Sequence, residues 1–205
     1  MVAAFHSIIL AGGISNRMGF PKALVVFGNS YFLHRIYETL VAGEAVPVHI
    51  VINTGLYGSL KSRLKEFPQG KFIQNSEPGR GQIYSLQLGL HSAQDAGADA
   101  AIVALVDQPA ISVSTVAALC QKHEKSPGKI YIASFEGKPG HPILIPKNLF
   151  APFLNAGEHQ TARDVIANHS SLIEYVETND PQVIADIDSP ADLARLRELE
   201  NEIDT

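Results

Sequence analysis

The stretch Ile8–Lys22, IILAGGISNRMGFPK, decides how the rest of the chain is read. The apolar run before it, AFHSIIL, has the length and composition of a short buried strand. It gives way to Gly12 and Gly13, where the backbone can turn without a Cβ in the way. A turn needs neither Arg17 nor Lys22. Successive backbone N–H groups in such a turn form an anion-binding concavity, and two cations beside it point to a large anion such as a triphosphate.

The chain of 205 residues suits one well-packed domain over residues 1–205, and no segment reads as a linker. A hydrophobic fraction of 45% and a charged fraction of 18% fit a globular protein with a sizeable core. The formal net charge of -5 argues against a nucleic-acid partner held by phosphate contacts. It favours a local basic site for a small anion together with a metal ion. The lone cysteine, Cys120, lies among apolar neighbours in VAALCQKHEK and reads as a buried core thiol. The start, MVAAFHSIILAGG, lacks a basic n-region, and no run approaches the roughly 18 apolar residues of a membrane span, so a cytoplasmic protein is expected.

Apolar runs of strand length alternate with stretches of helical period, the pattern of an α/β fold around a mostly parallel sheet. The expected strands are AFHSIIL, VHIVIN, KFIQN, AAIVALVD, KIYIASF, HPILIP and IEYVET. The expected helices are YFLHRIYETLVAG, GSLKSRLKEF, QIYSLQLGLHSA, SVSTVAALCQKHE and PADLARLRELENEI. In the last, Leu193, Leu196 and Leu199 share a face, and Ser189, Pro190 and Asp192 have the arrangement of a capping box. Ligands of open α/β sheets sit outside the carboxyl ends of the strands, where the glycine-rich segments of this chain fall.

Two common phosphate loops fail. A Walker A loop is excluded because Gly13 to Gly19 has one residue too many and Phe20 stands where its lysine belongs. The dinucleotide fingerprint is excluded because Gly12 and Gly13 are adjacent. What LAGGISNRMGFPK does resemble is the L-A-[GA]-G-x-S-x-R-M-G-x-x-K signature of the MobA-like NTP transferases of molybdenum cofactor biosynthesis. Further blocks follow in the family's order: GQIYSLQLGL, LVDQP, GKPGHPILIP, HQTARDVI and IADIDSPADLARL. The resemblance implies a Rossmann-like three-layer α/β/α sandwich of the nucleotide-diphospho-sugar transferase type.

It also implies roles. Backbone around Leu10, Ala11, Gly12 and Gly13 would face base and phosphates, and Arg17 and Lys22 would hold the triphosphate, where they stabilise the charge that builds on leaving pyrophosphate. Asp107, at the end of AAIVALV, would be a ligand of Mg²⁺, which demands hard oxygen donors. Asp188 is either the second carboxylate on that metal or an aspartate placed for helix capping. Asp186 and Asp192 read as local structure. Ser85 would sit beside base and ribose, with Gly81 giving the backbone room to approach, and Arg80 is either a phosphate contact or a solvated cation. His141, in PGHP, would bind the acceptor or its phosphate, unless it is a hydrogen-bonded histidine shaping the turn.

The expected reaction is nucleotidyl transfer: a phosphate monoester attacks the α-phosphorus of a bound NTP, NMP is transferred, and pyrophosphate leaves. The GQIYSL, GHP and TAR blocks resemble the cytidylyltransferase branch, so CTP is the expected nucleotide and molybdopterin the acceptor. LAGG instead has the guanylyltransferase form, which makes GTP the alternative, and the D-x-P segment carries Gln108 where methionine is frequent. A sugar phosphate or another small phosphomonoester is the alternative acceptor, and a molybdoenzyme or its chaperone the expected protein partner. The rivals are a non-catalytic nucleotide-binding or cofactor-chaperone protein and a Rossmann oxidoreductase.

Overall fold

Ile9 packs into one hydrophobic cluster, while its neighbours Ile8 and Leu10 pack into another on the opposite face of the sheet. A strand's period of two produces this division, and burial on both faces explains the unbroken apolar run. The computed structural model describes residues 3–13 and 20–203, with side chains described through residue 198.

The strands are β1 (Phe5–Leu10), β2 (Val26–Phe27), β3 (Ser30–Tyr31), β4 (Val48–Asn53), β5 (Gly70–Asn75), β6 (Ala100–Leu105), β7 (Ile130–Phe135), β8 (Lys138–Pro146) and β9 (Ile173–Glu177). The α-helices are α1 (Phe32–Ala42), α2 (Thr54–Leu60), α3 (Gly81–Asp95), α4 (Val113–Lys125), α5 (Phe150–Leu154), α6 (Ala162–Ala167) and α7 (Pro190–Ile203). Seven strands form one sheet in the order β5-β4-β1-β6-β8-β7-β9. Every pairing is parallel except the two made by β8. Residues of α1 and α4 cover one face, and those of α3, α5 and α6 the other. This is the expected Rossmann-like α/β architecture with a mostly parallel sheet.

All seven expected strands are present. The antiparallel turn of β8 follows from its connection to β7, a two-residue turn at Glu136 and Gly137, both with positive φ, which returns the chain alongside itself. GSLKSRLKEF is not one helix: α2 starts earlier, capped by the Asn53 side chain at 2.8 Å from Leu56 N, and continues as a 3₁₀ helix over Lys61–Glu66. The small β2–β3 hairpin, α5 and α6 escape a periodicity reading because each is too short to show a repeat. Cys120 is half-buried against the first cluster rather than fully buried, and burial raises its thiol to about 12, so it stays protonated.

The hairpin carries weight beyond its size. Val25, Phe27 and Phe32 form a third apolar cluster with Ile187, Leu193 and Leu196, so the segment after Lys22 packs on the start of α7. The Leu199 side chain lies outside the described residues. The chain before α7 is tied to the end of β6 as well, since Ile187 N–H donates to the Asp107 carbonyl at 2.8 Å.

Candidate functional site

A cavity of about 880 Å³ opens at the carboxyl ends of β1, β4 and β6, and its walls include Leu10, Ala11, Gly12, Gly13, Lys22, Gly81, Ser85 and Asp107. The fold gathers these because β1 lies between β4 and β6, and each strand ends at the same edge. Ala11 N–H donates to Val51 O at 2.9 Å, which pins the first turn residue to the neighbouring strand. Gly12 is held by the Asn53 amide, 3.3 Å from its carbonyl. Arg17, the other expected phosphate contact, lies outside the described residues.

Ser85 is buried rather than open to the cavity along its whole length, and its hydroxyl accepts from the Asn75 amide at 3.0 Å. Gly81 adopts φ +83°, and a Cβ there would meet nothing within 4 Å. The backbone angle at the start of α3 by itself favours glycine there. Arg80 lies with its guanidinium 4.0 Å from the Tyr84 ring centroid and its Nε 3.2 Å from Glu158. Asn53 and Asn75, which steady this wall, were missed from sequence. Their only signal is an asparagine at each strand end, in VHIVIN and KFIQN.

Lys22, Asp107 and Asp188 meet at one edge of the cavity. Lys22 Nζ is 3.3 Å from Asp107 Oδ2 and also donates to Asp188 Oδ1. Burial works against the Lys22 ammonium, but its hydrogen bond to Asp188 and the two carboxylate charges outweigh this and raise its pKa. Burial raises Asp107 as well, against the pull of Lys22, with Asp186 adding to the rise. The two directions are compatible: one ammonium gains from two carboxylates, while Asp107 loses more to desolvation than that ammonium returns. Asp107 Oδ1 is buried without a hydrogen-bond partner. The helix cap assigned in one reading to Asp188 is made by others: Asp192 accepts from Ser189 N at 2.8 Å, and Asp192 N donates to Ser189 Oγ at 3.2 Å.

Two carboxylates drawn onto one cation, one with a spare buried oxygen, suit a hard divalent ion. Among the described residues no group of three or more His, Cys, Asp or Glu side chains could hold a metal, so the remaining positions on such an ion would be filled by water or by the oxygens of a phosphate ligand.

His141 lines a neighbouring cavity of about 600 Å³, not the first one. Its segment is placed by Gly140, where a Cβ would fall 1.7 Å from Val183 O, so only glycine lets β8 lie against the Pro181–Ile184 turn. Burial lowers the His141 pKa to about 4, with Asp186 opposing and Arg163 assisting, so the imidazole is neutral near pH 7. It makes no hydrogen bond among the described residues. Asp186, read in sequence as local structure, lines this second cavity beside Gln108.

A family model described as "MobA-like NTP transferase domain" matches residues 7–173. The chain belongs to this family. It is a nucleotidyltransferase of the MobA-like type. The molybdenum cofactor guanylyltransferase of Rhodobacter capsulatus is similar to it, 28% identical over 193 residues that cover 92% of this chain and 92% of that protein. The nicotine blue oxidoreductase of Paenarthrobacter nicotinovorans is also similar, 27% identical over 199 residues that cover 92% of this chain and 94% of that protein. Among solved structures, a nucleotidyl transferase from Methanothermobacter thermautotroptrophicus shares the fold of this MobA-like chain, with a TM-score of 0.82, 18% identity and coverage of 98% of this chain and 99% of that one. No helix among the described residues is long and apolar enough to cross a membrane.

Proposed function

We propose that this MobA-like protein transfers GMP from GTP to a phosphomonoester acceptor, molybdopterin or the molybdenum cofactor, and releases pyrophosphate. The observation that carries the reading is the convergence of Lys22, Asp107 and Asp188 at the edge of a cavity walled by the LAGG turn. GTP replaces the CTP expected from the later sequence blocks because Gly12 gives the guanylyltransferase form of the first loop, and the Rhodobacter relative bears that name.

An acceptor phosphate oxygen attacks the α-phosphorus of GTP. The bond from that phosphorus to the bridging oxygen of pyrophosphate breaks, and pyrophosphate carries away the electron pair. The nucleophile is already an anion, so the protein's work is positioning and neutralising charge rather than removing a proton. Backbone at Leu10, Ala11, Gly12 and Gly13 orients base and phosphates, with Gly81 and Ser85 on the facing wall. Lys22 and Arg17 stabilise the charge growing on pyrophosphate. Asp107 and Asp188 would hold Mg²⁺, which supplies Lewis-acid neutralisation of the phosphates when bound. His141 meets the acceptor in the second cavity as a neutral hydrogen-bonding group rather than a counter-charge. A molybdoenzyme or its chaperone is the protein that would take the product.

The similar nicotine blue oxidoreductase favours a second reading, hydride or electron transfer, against which stand the missing dinucleotide fingerprint and the lysine-carboxylate cluster. The test is calorimetric titration of the four NTPs in the presence of Mg²⁺, with NADH and NADPH as further arms. GTP binding tightest supports the proposal; tight binding of a nicotinamide dinucleotide, with none of any NTP, contradicts it.

A further inference from the structure

The second cavity touches the first. Gln82 and Leu105 belong to both, and the adjacent residues Asp107 and Gln108 line the first and the second respectively. A molecule in the second cavity therefore reaches the carboxylate cluster across the end of β6.

The floor of the second cavity is apolar, built from Ile132, Ile143 and Ile184. Tyr175 also lines it and is 57% exposed. Tyr175 pairs in register with Ile132 across β9 and β7, so the two side chains share one face of the sheet. A phenol ring left in water beside an aliphatic floor is a stacking face for a flat ligand.

The polar side of the cavity is set by Gln108, which is 3% exposed. Its Nε2 donates to Val183 O at 3.2 Å and to Asp186 Oδ1 at 2.9 Å. Both partners only accept, which fixes the orientation of the amide and leaves Oε1 without a donor. Asp186 is exposed and makes no ion pair among the described residues. A neutral donor thus holds this carboxylate at the wall while its charge stays available, and a carboxylate asks its ligand for N–H or O–H donors.

We propose that Tyr175 and Asp186, the latter positioned by Gln108, select the acceptor: a flat heterocycle stacks on Tyr175 and presents an exocyclic amino group to Asp186. The inference rests on the proposed nucleotidyl transfer, in that it takes the second cavity for the acceptor's. It also gives a role to Gln108, the residue that departs from the methionine frequent at its place. A sugar ring can stack on tyrosine and bond a carboxylate too, but three isoleucines beneath it would meet hydroxyl groups rather than a second apolar face.

The experiment titrates the full chain, with GTP and Mg²⁺ present, with three probes: 6-hydroxymethylpterin, the corresponding lumazine in which a carbonyl replaces the 2-amino group, and glucose 1-phosphate. The pterin should bind at least about tenfold more tightly than the lumazine, because a site built for a donor is left unpaired without it. Tyr175→Ala should weaken pterin binding by about tenfold, the scale of one base–aromatic stack, and Tyr175→Phe should restore it. Asp186→Asn should abolish the preference for pterin over lumazine, and Gln108→Leu should reduce it. Equal binding of pterin and lumazine, an unchanged affinity in Tyr175→Ala, or tighter binding of glucose 1-phosphate than of pterin would each overturn the inference. GTP affinity, read separately on the same protein, reports on the nucleotide site: its absence counts against the proposed function, whereas these three outcomes with GTP bound count against the acceptor assignment alone.

Discussion

Lys22 Nζ sits 3.3 Å from Asp107 Oδ2, so the ammonium of the first loop is paired with the carboxylate at the end of β6. The same ammonium reaches Asp188, and one positive charge therefore occupies the place where two carboxylates could share a divalent ion. A triphosphate entering the cavity competes for that ammonium. If it wins, Asp107 and Asp188 both lose their contact with Lys22, and metal and nucleotide bind with positive coupling.

Mn²⁺ binding without nucleotide, followed by electron paramagnetic resonance, checks this directly. Lys22→Ala should bind Mn²⁺ more tightly than the unaltered protein, because both carboxylates remain and the Lys22 ammonium no longer competes for them. Unchanged or weaker binding would show that Lys22 and the metal do not compete.

On turnover the same substitution acts in the opposite direction. Lys22→Ala should reduce the rate of pyrophosphate release by at least about a hundredfold, the usual effect of removing one electrostatic stabiliser of a transition state. A folded variant with near-normal turnover would remove Lys22 from the catalytic group.

Asp107→Asn and Asp188→Asn should each damage turnover more than GTP affinity, with Asp107→Asn the worse. Asp107 is the more buried of the two, with 27% of its side chain exposed against 48% for Asp188, and its unpartnered Oδ1 has no structural duty to explain it. GTP affinity and turnover measured across a Mg²⁺ titration decide the matter. Should Asp188→Asn keep the parent's activity and magnesium dependence, a two-carboxylate metal site is wrong.

Much of this site was legible. Lys22 follows from its place after the glycine turn, and Asp107 from its place after an apolar run. Asp188 was ambiguous because aspartates before a helix are usually caps; the capping box read at Ser189 and Asp192 is formed, and the reach of Asp188 to Lys22 is what only the folded chain shows. The pairing of Gln108 with Asp186 was illegible, since it depends on how far the turn before α7 is pulled toward β6 by Gly140 and Ile187. Of the fold, each long strand was readable as an apolar run and each long helix from its period, whereas the start of α2 and its 3₁₀ continuation were not. The β2–β3 hairpin was not, since two residues per strand carry no period, yet it packs the chain after Lys22 onto α7.

The choice of base can be probed at Gly12. A Cβ there would lie 3.5 Å from Ser85 Oγ and 3.7 Å from Asn53 N, which is ordinary contact, so Gly12→Ala should fold as the parent does. It should shift the ratio of kcat/KM for GTP over CTP toward CTP, in keeping with the L-A-A-G form of the cytidylyltransferase branch. An unaltered ratio would mean that this turn does not read the base.

Stability should depend on pH through a histidine pair remote from the site. His49 is fully buried between His6, whose Nδ1 is 3.1 Å from its Nε2, and the Ser92 hydroxyl, 2.9 Å from its Nδ1. Burial lowers its pKa from 6.5 to about 4, and His6 adds to the fall. The unfolded chain therefore takes up the proton first as pH drops, so the contribution is whole above about pH 6.5 and is lost progressively down to about pH 4. Urea midpoints across that window should fall, and His49→Gln should show a shallower fall. Equal slopes in the two proteins would place the acid sensitivity elsewhere.

The most direct test of nucleotidyl transfer follows a label from GTP to the acceptor. Purified protein with Mg²⁺, GTP labelled at the α-phosphorus and molybdopterin should yield labelled GMP joined to the acceptor, with one pyrophosphate released per transfer. Label that stays in GTP, in a preparation shown to bind both GTP and molybdopterin, would contradict the account.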